Sequence, residues 1–445
     1  MLRKDGEELV DEYSLPLIPS DVVLGIDTRQ SCFKRVLVNL GDLVPYGGFL
    51  SATFTLSSAT LGAGVITLPS AFNFSGIIPS FLLLLIVTLA TIYAVRLLVE
   101  TRELTRLGSY EAMARTLFGP GWDYLSAGLM WLFTFGTCVA YIISIGDILD
   151  SAFMDDSIPS YLRSQGGKRL ITVLIWFLGM FTTSLPRSIN SLRYASIVAI
   201  LSLLFFIACV VVHALQNGFR NGKIRKDIHF WRTGNIAIEG LSLFMFAYLC
   251  QVNSLEIYEE IIDPTVKKMT TYTASGMFFC FIAYSITGFF GYADFGPEIK
   301  DSIIKHYDID HNLLLAISLT GIGFQLCVGF ALCMQPARES FYYALGWDIA
   351  TIPTYRHVLF CGTQSLAALT LGLLIPSVNI VFGLLGSLCG GILGFCLPAL
   401  YRMYCGNWSV ATVGIVNYVC TYLLLIAGVV AVVFGTGASV YGVVV

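Results

Sequence analysis

The chain has 445 residues, of which 56% are hydrophobic and only 12% are Asp, Glu, Lys or Arg, about half the ~25% charged content of a soluble domain. A soluble core cannot hide that much apolar chain from water, so the composition points to a membrane protein. A net charge of −3 is too small to suggest nucleic acid or a strongly charged partner.

The first 48 residues carry several charges and no apolar core followed by a small-residue cleavage site, which predicts a cytoplasmic, partly disordered tail without a cleavable signal. Eleven apolar runs follow, close to the ~20 residues that a spanning helix needs. They centre on 50–73, 76–99, 124–147, 170–186, 194–216, 236–260, 271–293, 312–337, 356–376, 378–401 and 413–436. Helix breakers at Asn73 to Gly76 and at Pro376 to Asn379 divide the two closely spaced pairs. With the N-terminus inside, the inner connections carry 16 Lys and Arg and the outer ones 10, a bias that favours a cytoplasmic N-terminus. The basic stretch from Arg220 to Arg232 runs against it. Cysteines such as Cys138, Cys209, Cys250, Cys280, Cys327, Cys333 and Cys389 lie in apolar runs without metal-like spacing and read as packing residues. Sequons at Asn73 and Asn407 fall at a membrane boundary and on the inner side, so neither is expected to carry a glycan.

Two of the runs are interrupted. Span 1 contains TLSSATLGAGVITLPSAF, Thr55 to Phe72, with Gly62 and Gly64 near its middle. Span 6 loses its apolar character at Gln251, Val252, Asn253 and Ser254 and regains it at Leu255. Unwound backbone in hydrocarbon is tolerated only where protein or a watery cavity surrounds it. Half-helices meeting there expose N–H groups, which suit a carboxylate, and C=O groups, which suit an ammonium. An amino acid carries both on one carbon. Close packing through small residues is the competing explanation for the two glycines alone. Interruptions in the first spans of two successive groups of five tip the balance towards a transporter site.

These stretches carry a resemblance. TLSSATLGAGVITLPSAF, FAYLCQVNSLEIYEEIIDPTVKKM (Phe246 to Met269), SYEAMARTLFGPGW (Ser109 to Trp122) and GYADFG (Gly291 to Gly296) together resemble the amino acid/auxin permease family, most closely its trypanosomatid members. Two departures stand out: Gln251 occupies a position where many relatives have His, and the Pro that follows in them is absent. The resemblance implies an all-α polytopic membrane protein with eleven transmembrane helices, a five-plus-five inverted-repeat core like that of the leucine transporter, and one extra helix. The divisions would be a tail over 1–48, repeats over 49–217 and 236–404, an extracellular loop over 218–235, and the last helix with the C-terminus over 405–445. It further implies a secondary transporter of amino acids working by alternating access, with the amino acid and the bilayer as its partners. The plasma membrane is the expected residence, with a lysosomal or vacuolar membrane as the alternative, and an amino acid sensor using the same site is the alternative role.

By the same resemblance, the substrate would meet the backbone of Thr60, Leu61, Gly62, Ala63 and Gly64 and the hydroxyls of Ser58 and Thr60. Phe246, Ala247, Tyr248 and Cys250 would bound the side-chain pocket. Gln251 and Asn253 either join them or satisfy unwound backbone, and Thr137, Tyr141, Ser318, Ile322 and Gln325 would complete the wall. Positions matched to the hydroxyl ligands of sodium-coupled relatives fall near Cys327 and Gly329, which offer no oxygen to a hard cation. Coupling to protons, or uniport, is therefore expected, with Asp147, Glu239, Glu256, Asp294 and His213 as titratable groups in or at the ends of spans. The lack of an acidic residue beside the breaks leans towards a neutral substrate. Scattered histidines and the absence of HExxH or GxSxG argue against an enzyme, and neither a cofactor nor a metal is expected.

Overall fold

The structure, a computed structural model, describes residues 47–62, 64–153, 159–186, 193–219, 225–299, 301–307, 312–347 and 352–444. The expectation for the N-terminal tail lies outside them. All regular elements among the described residues are helical. Those that matter are α1 (Phe49–Thr60), α2 (Gly64–Ser75), α3 (Ile77–Thr105), α4 (Tyr110–Phe118), α5 (Trp122–Ala152), α6 (Gln165–Ile175), α7 (Arg193–Asn217), α8 (Asn235–Ala247), α9 (Gln251–Glu259) and α10 (Val266–Phe295). After them come α11 (Leu313–Leu345), α12 (Thr354–Leu374), α13 (Val378–Tyr404) and α14 (Ile415–Gly442). Among the described residues nine helices are long and apolar enough to cross a bilayer, α8 and α9 counting as one, and α1 with α2 pass the same test as a pair bent by 61°.

Capping fixes several of these boundaries. The side chains of Ser109, Thr265 and Asn312 accept from backbone N–H groups in the first turns of α4, α10 and α11, satisfying donors that a helix start leaves open. Between α2 and α3 the chain turns at Gly76, whose φ of +85° and 2.9 Å approach of an added Cβ to the Trp231 backbone leave room for glycine alone.

The ends of the spans gather on two faces. On one, called the upper face here, Asn73 at the end of α2 donates to the carbonyl of Ile299 at 2.7 Å and its own carbonyl groups accept from Arg232. An amide so occupied and buried has no room for a glycan, in line with the sequence expectation. The ends of α5, α7 and α10 and the start of α13 lie on this face too, through contacts such as Ser151 to the Tyr307 carbonyl, His213 with Asp294, and Ser377 with Asp301. On the lower face Arg102 pairs with Glu259, Tyr258 donates to Glu103, and Tyr343 donates to Asp123.

The expected fourth span, 170–186, is a helical run from 165 to 184 that widens to π geometry over Trp176–Phe181. Lys168 and Arg169 keep its mean hydropathy below that of the other spans. Its start is tied to the upper end of α5 by Lys168 and Asp150 at 2.7 Å, and just past its end the Leu185 carbonyl lies 3.1 Å from His357 on α12. The run reaches from one face to the other.

Helix α10 is the axis around which the interrupted spans assemble. Small residues along one stripe of it admit its neighbours: an added Cβ at Gly276 would lie 3.1 Å from Ser57 and from the Thr53 carbonyl in α1, and at Gly291 2.6 Å from Pro69 in α2. Gly288 sits directly under Phe72. On the opposite flank of α8, α13 widens to a π-helix over Gly386–Cys396, and its Gly386 lies against the Ser242 carbonyl of α8.

Candidate functional site

Span 1 stops at Thr60 and restarts at Gly64. The Leu61 N–H still reaches back to Ser57, the Gly62 N–H bonds to the Thr60 carbonyl at 2.9 Å, and the Val65 N–H bonds to Gly62 at 3.3 Å. Pro69 lacks an N–H, which leaves the Val65 carbonyl without its usual helical donor. Both ends of the gap are therefore rich in backbone polar groups.

Span 6 breaks three residues earlier than its polar letters suggest. The helix stops at Ala247, unwinds through Tyr248, Leu249 and Cys250, and resumes at Gln251. Gln251, Asn253 and Ser254 belong to the first turn of α9 instead of the gap. The physical reason is that a helix start has free N–H groups and tolerates polar side chains, whereas the unwound Tyr248, Leu249 and Cys250 are all buried in protein and need no polarity of their own.

The two gaps face each other. A Cβ added to Gly64 would lie 2.9 Å from the Cβ of Ala247. Tyr284, in the middle of α10, places its hydroxyl 2.6 Å from the Thr60 carbonyl and 2.9 Å from the Ala247 carbonyl. Those carbonyls end the first half-helix of each broken span. Only one proton is available to the phenol, so the two acceptors share it or alternate. The Tyr248 ring meets Tyr284 edge to face at 5.2 Å. Around them lie Met277 and Cys280 of α10, with the Cys250 sulfur 3.9 Å from that of Met277.

Tyr141 approaches from α5. Its hydroxyl lies 3.3 Å from where a Cβ on Gly62 would be and 3.0 Å from where one on Gly329 would be, so one phenol fills the space between the first gap and α11. Ile322 and Gln325 are buried on the same face of α11, seven and four residues before Gly329. Above the gaps, Phe246 stacks on Phe382 of α13 with centroids 3.9 Å apart. Higher still, Lys305 lies 3.1 Å from Asp147 and 2.6 Å from Asp301. Burial pulls the Lys305 ammonium pKa down, but the two carboxylates outweigh it and the net shift is upward. Asp301 also accepts from Ser377 and the Asn379 N–H, while the Asn379 amide donates to Ser70 of α2 at 2.8 Å. This clamp ties α2, α5 and α13 together on the upper face.

Of the residues singled out from sequence, Thr60, Gly62, Gly64, Tyr141, Ala247 and Tyr248 come together at the gaps. Ala63 lies outside the described residues. Leu61 and Cys250 are buried within the gaps, and Ser58 is half-buried beside the first. The hydroxyls of Thr60, Thr137 and Ser318 are turned to carbonyls of their own helices, those of Leu56, Phe133 and Leu315. Gln251 is buried against Gly394 of α13 with its Oε1 unbonded, and Asn253 is half-buried. Tyr284 was missed; a lone phenol in mid-span, in CFIAYSITGFF, was the available signal. Of the two positions matched to sodium ligands, Cys327 packs on Gly179 of the 165–184 run and Gly329 lies under Tyr141, so neither offers an oxygen to a cation.

The model of the family described as "Transmembrane amino acid transporter protein" matches residues 46–441. Human solute carrier family 38 member 10 is 25% identical over 357 residues, covering 77% of this chain and 31% of its own length. The putative sodium-coupled neutral amino acid transporter 10 of Xenopus laevis is 23% identical, with 77% and 33% covered. The sodium-coupled neutral amino acid transporter 7 of the same species is 25% identical over 364 residues, with 78% and 79% covered. The chain thus spans about a third of the length of the member 10 proteins.

Proposed function

The chain belongs to the transmembrane amino acid transporter protein family, which is one of transporters and not of enzymes, and from that premise we propose that it moves amino acids across a membrane by alternating access. The observation that carries this reading is the meeting of two interrupted spans, their half-helix carbonyls bridged by Tyr284. The substrate would lie where the gaps converge, its charged groups on backbone near Thr60, Leu61, Gly62, Ala63 and Gly64. Its side chain would face Phe246, Tyr248, Cys250 and Tyr141. The groups placed against the gaps are uncharged, which supports a neutral amino acid, since a cationic side chain buried there would lack a partner.

In this reading eleven helices cross the bilayer: the nine long ones, the bent pair, and the run from 165 to 184. Spans 1–5 and 6–10 form the two inverted repeats. The Phe246–Phe382 stack and the Lys305 clamp would close the upper side, which makes the lower side the one through which the site would open. There α1 leaves Phe54, Thr55 and Ala59 exposed. The charge bias of the connections supports a lower side that is cytoplasmic, and a plasma membrane residence stays the family-level expectation.

Coupling is read differently from the sequence expectation. The names of the relatives carry sodium and give no support to protons, so sodium is the ion to test first, with its ligands drawn from backbone carbonyls instead of hydroxyls at Cys327 and Gly329. The deciding experiment is uptake of the twenty radiolabelled amino acids into proteoliposomes, with sodium and pH gradients imposed separately. Saturable, sodium-stimulated uptake of neutral amino acids is the expected result. Absence of saturable uptake of any amino acid under either gradient overturns the reading.

A further inference from the structure

Arg338 lies in α11, nine residues or about two and a half turns beyond Gly329, and is fully buried at 0% exposure. Among the described residues no oxygen or nitrogen accepts from its three guanidinium nitrogens; the neighbour that interacts with them is the weakly accepting Cys361 thiol. A guanidinium does not lose its proton in a protein, so this position holds a permanent positive charge out of water. Such a charge is heavily penalised unless it is paired. The carboxylate nearest in sequence, Glu339, feels the charge but occupies an exposed position and forms no ion pair with it.

The residues around it share the same deficit. One helical turn before Arg338 and on the same face, Gln335 is 2% exposed and its Oε1 is unbonded. From α12, the thiol of Cys361, 1% exposed, lies against the guanidinium. One turn further along α12, Gln364 is 7% exposed and neither its Nε2 nor its Oε1 has a partner. Unbonded polar atoms on three side chains thus lie within one helical turn of the Arg338–Cys361 contact between α11 and α12. The charge among them is +1, and donors outnumber acceptors.

We propose that Arg338, Gln364 and Gln335 form a binding site for a small monovalent anion, of which chloride is the type, held between α11 and α12. The guanidinium and the Gln364 amide supply the N–H donors, and on binding, the Gln335 carbonyl, now unbonded, would turn to take one guanidinium N–H and so orient it. Full burial of these side chains suits a monatomic ion better than a phosphate or a carboxylate. The site is separate from the substrate gaps. Nine residues at ~100° each put Arg338 on the side of α11 opposite Gly329, about 14 Å along the axis. The proposal does not rest on amino acid transport, and it assigns the ion the work of joining α11 to α12.

The purified full chain in detergent is melted in sodium chloride and in sodium gluconate at equal ionic strength, and chloride-36 binding is read on the same preparation. A ligand that binds only the folded state raises the melting temperature in a concentration-dependent way. The wild type is expected to melt higher in chloride, saturably, and to bind about one chloride per chain. Arg338→Gln abolishes both effects, while its melting temperature in gluconate matches or exceeds that of the wild type because an unpaired charge is gone. Gln364→Leu keeps the charge and weakens chloride affinity about tenfold, and it decides the matter if Arg338→Gln does not fold. Identical melting of the wild type in the two salts with no bound chloride-36 overturns the proposal, as does a chloride effect that survives Arg338→Gln.

Discussion

The hydroxyl of Tyr284 lies 2.6 Å from the carbonyl of Thr60, the last residue of α1, and the same oxygen reaches the carbonyl of Ala247, the last of α8. One side chain on an unbroken helix therefore fixes the spacing of both interruptions. A buried hydrogen bond contributes about 1 kcal/mol net, and an orphaned buried acceptor costs ~1–3 kcal/mol. Tyr284→Phe keeps the ring and its packing on Tyr248 but removes the bridge. Uptake per molecule at the surface is expected to fall about tenfold, with surface amount preserved. Wild-type uptake by this variant would remove Tyr284 from the site.

The two glycines of the first gap differ in what surrounds them. At Gly64 an added Cβ meets the Cβ and Cα of Ala247 at 2.9 and 3.1 Å, part of a neighbouring backbone that cannot step aside. At Gly62 it meets only the tip of Tyr141 at 3.3 Å. Gly64→Ala should therefore cost ~1–3 kcal/mol of overpacking and abolish uptake, while Gly62→Ala is mild and improves further in combination with Tyr141→Phe. Uptake assays on the three variants read the order directly, and equal effects at both glycines would contradict it. Gly62→Val, with a branched side chain in the gap, is expected to block uptake as Gly64→Ala does.

Removing Lys305 leaves Asp147 buried with no counter-charge, a worse state than the intact clamp. Lys305→Met is expected to lower the melting temperature and to raise labelling of a cysteine placed at Asn379 from the upper side. Lys305→Met with Asp147→Asn should recover much of the stability, because the orphaned charge goes with its partner. A double variant no more stable than the single one would show that the pair is not coupled. The pKa of Lys305 is raised in the fold, so its contribution is complete below the unfolded value of ~10.4 and is lost only as pH rises through the still higher folded value. Between pH 5 and 9 the clamp should show no titration of this lysine.

Glu111 in α4 is the converse case. Burial raises its carboxyl pKa, outweighing hydrogen bonds from its own backbone and from Ser109. A raised acid binds its proton more tightly in the folded state, so stability falls as pH rises from the unfolded pKa through the folded one. Glu111→Gln is therefore expected to raise the melting temperature at pH 7 and to make no difference at pH 3.5, where both forms are neutral. A constant difference across that range would assign the effect to something other than charge.

The spans were legible because a bilayer imposes one rule, ~20 apolar residues per crossing, and Gly62, Gly64 and the polar run after Cys250 violate it visibly. The run from 165 to 184 shows the limit of that rule: Lys168 and Arg169 lie inside the helix, one of them held by Asp150, so its apolar part is shorter than the helix itself. Register within the second gap was misread by three residues because polar letters mark where a helix restarts, not where it is unwound. Tyr284 and Arg338 lay outside what composition can show. Each is a single polar group in an apolar run, and its meaning depends on carbonyls or amides contributed by other helices, a relation between distant segments that one chain read end to end does not display.

The stripe of glycines on α10 sets how closely each half of the first span packs. Its upper half is keyed in over Gly288 and Gly291 and secured through Asn73 and Ser70. Its lower half meets α10 at Gly276, where Ser57 donates to the carbonyl at a long 3.4 Å, and also through Cys280, Met277 and an edge-to-face pair of Phe49 with Tyr272. Under the alternating-access proposal the lower half would act as a lever with Tyr284 at its fulcrum. Lifting it would part Ser57, Cys280 and Phe49 from α10 while the upper half stayed in place, confining an opening stroke to a single half-helix.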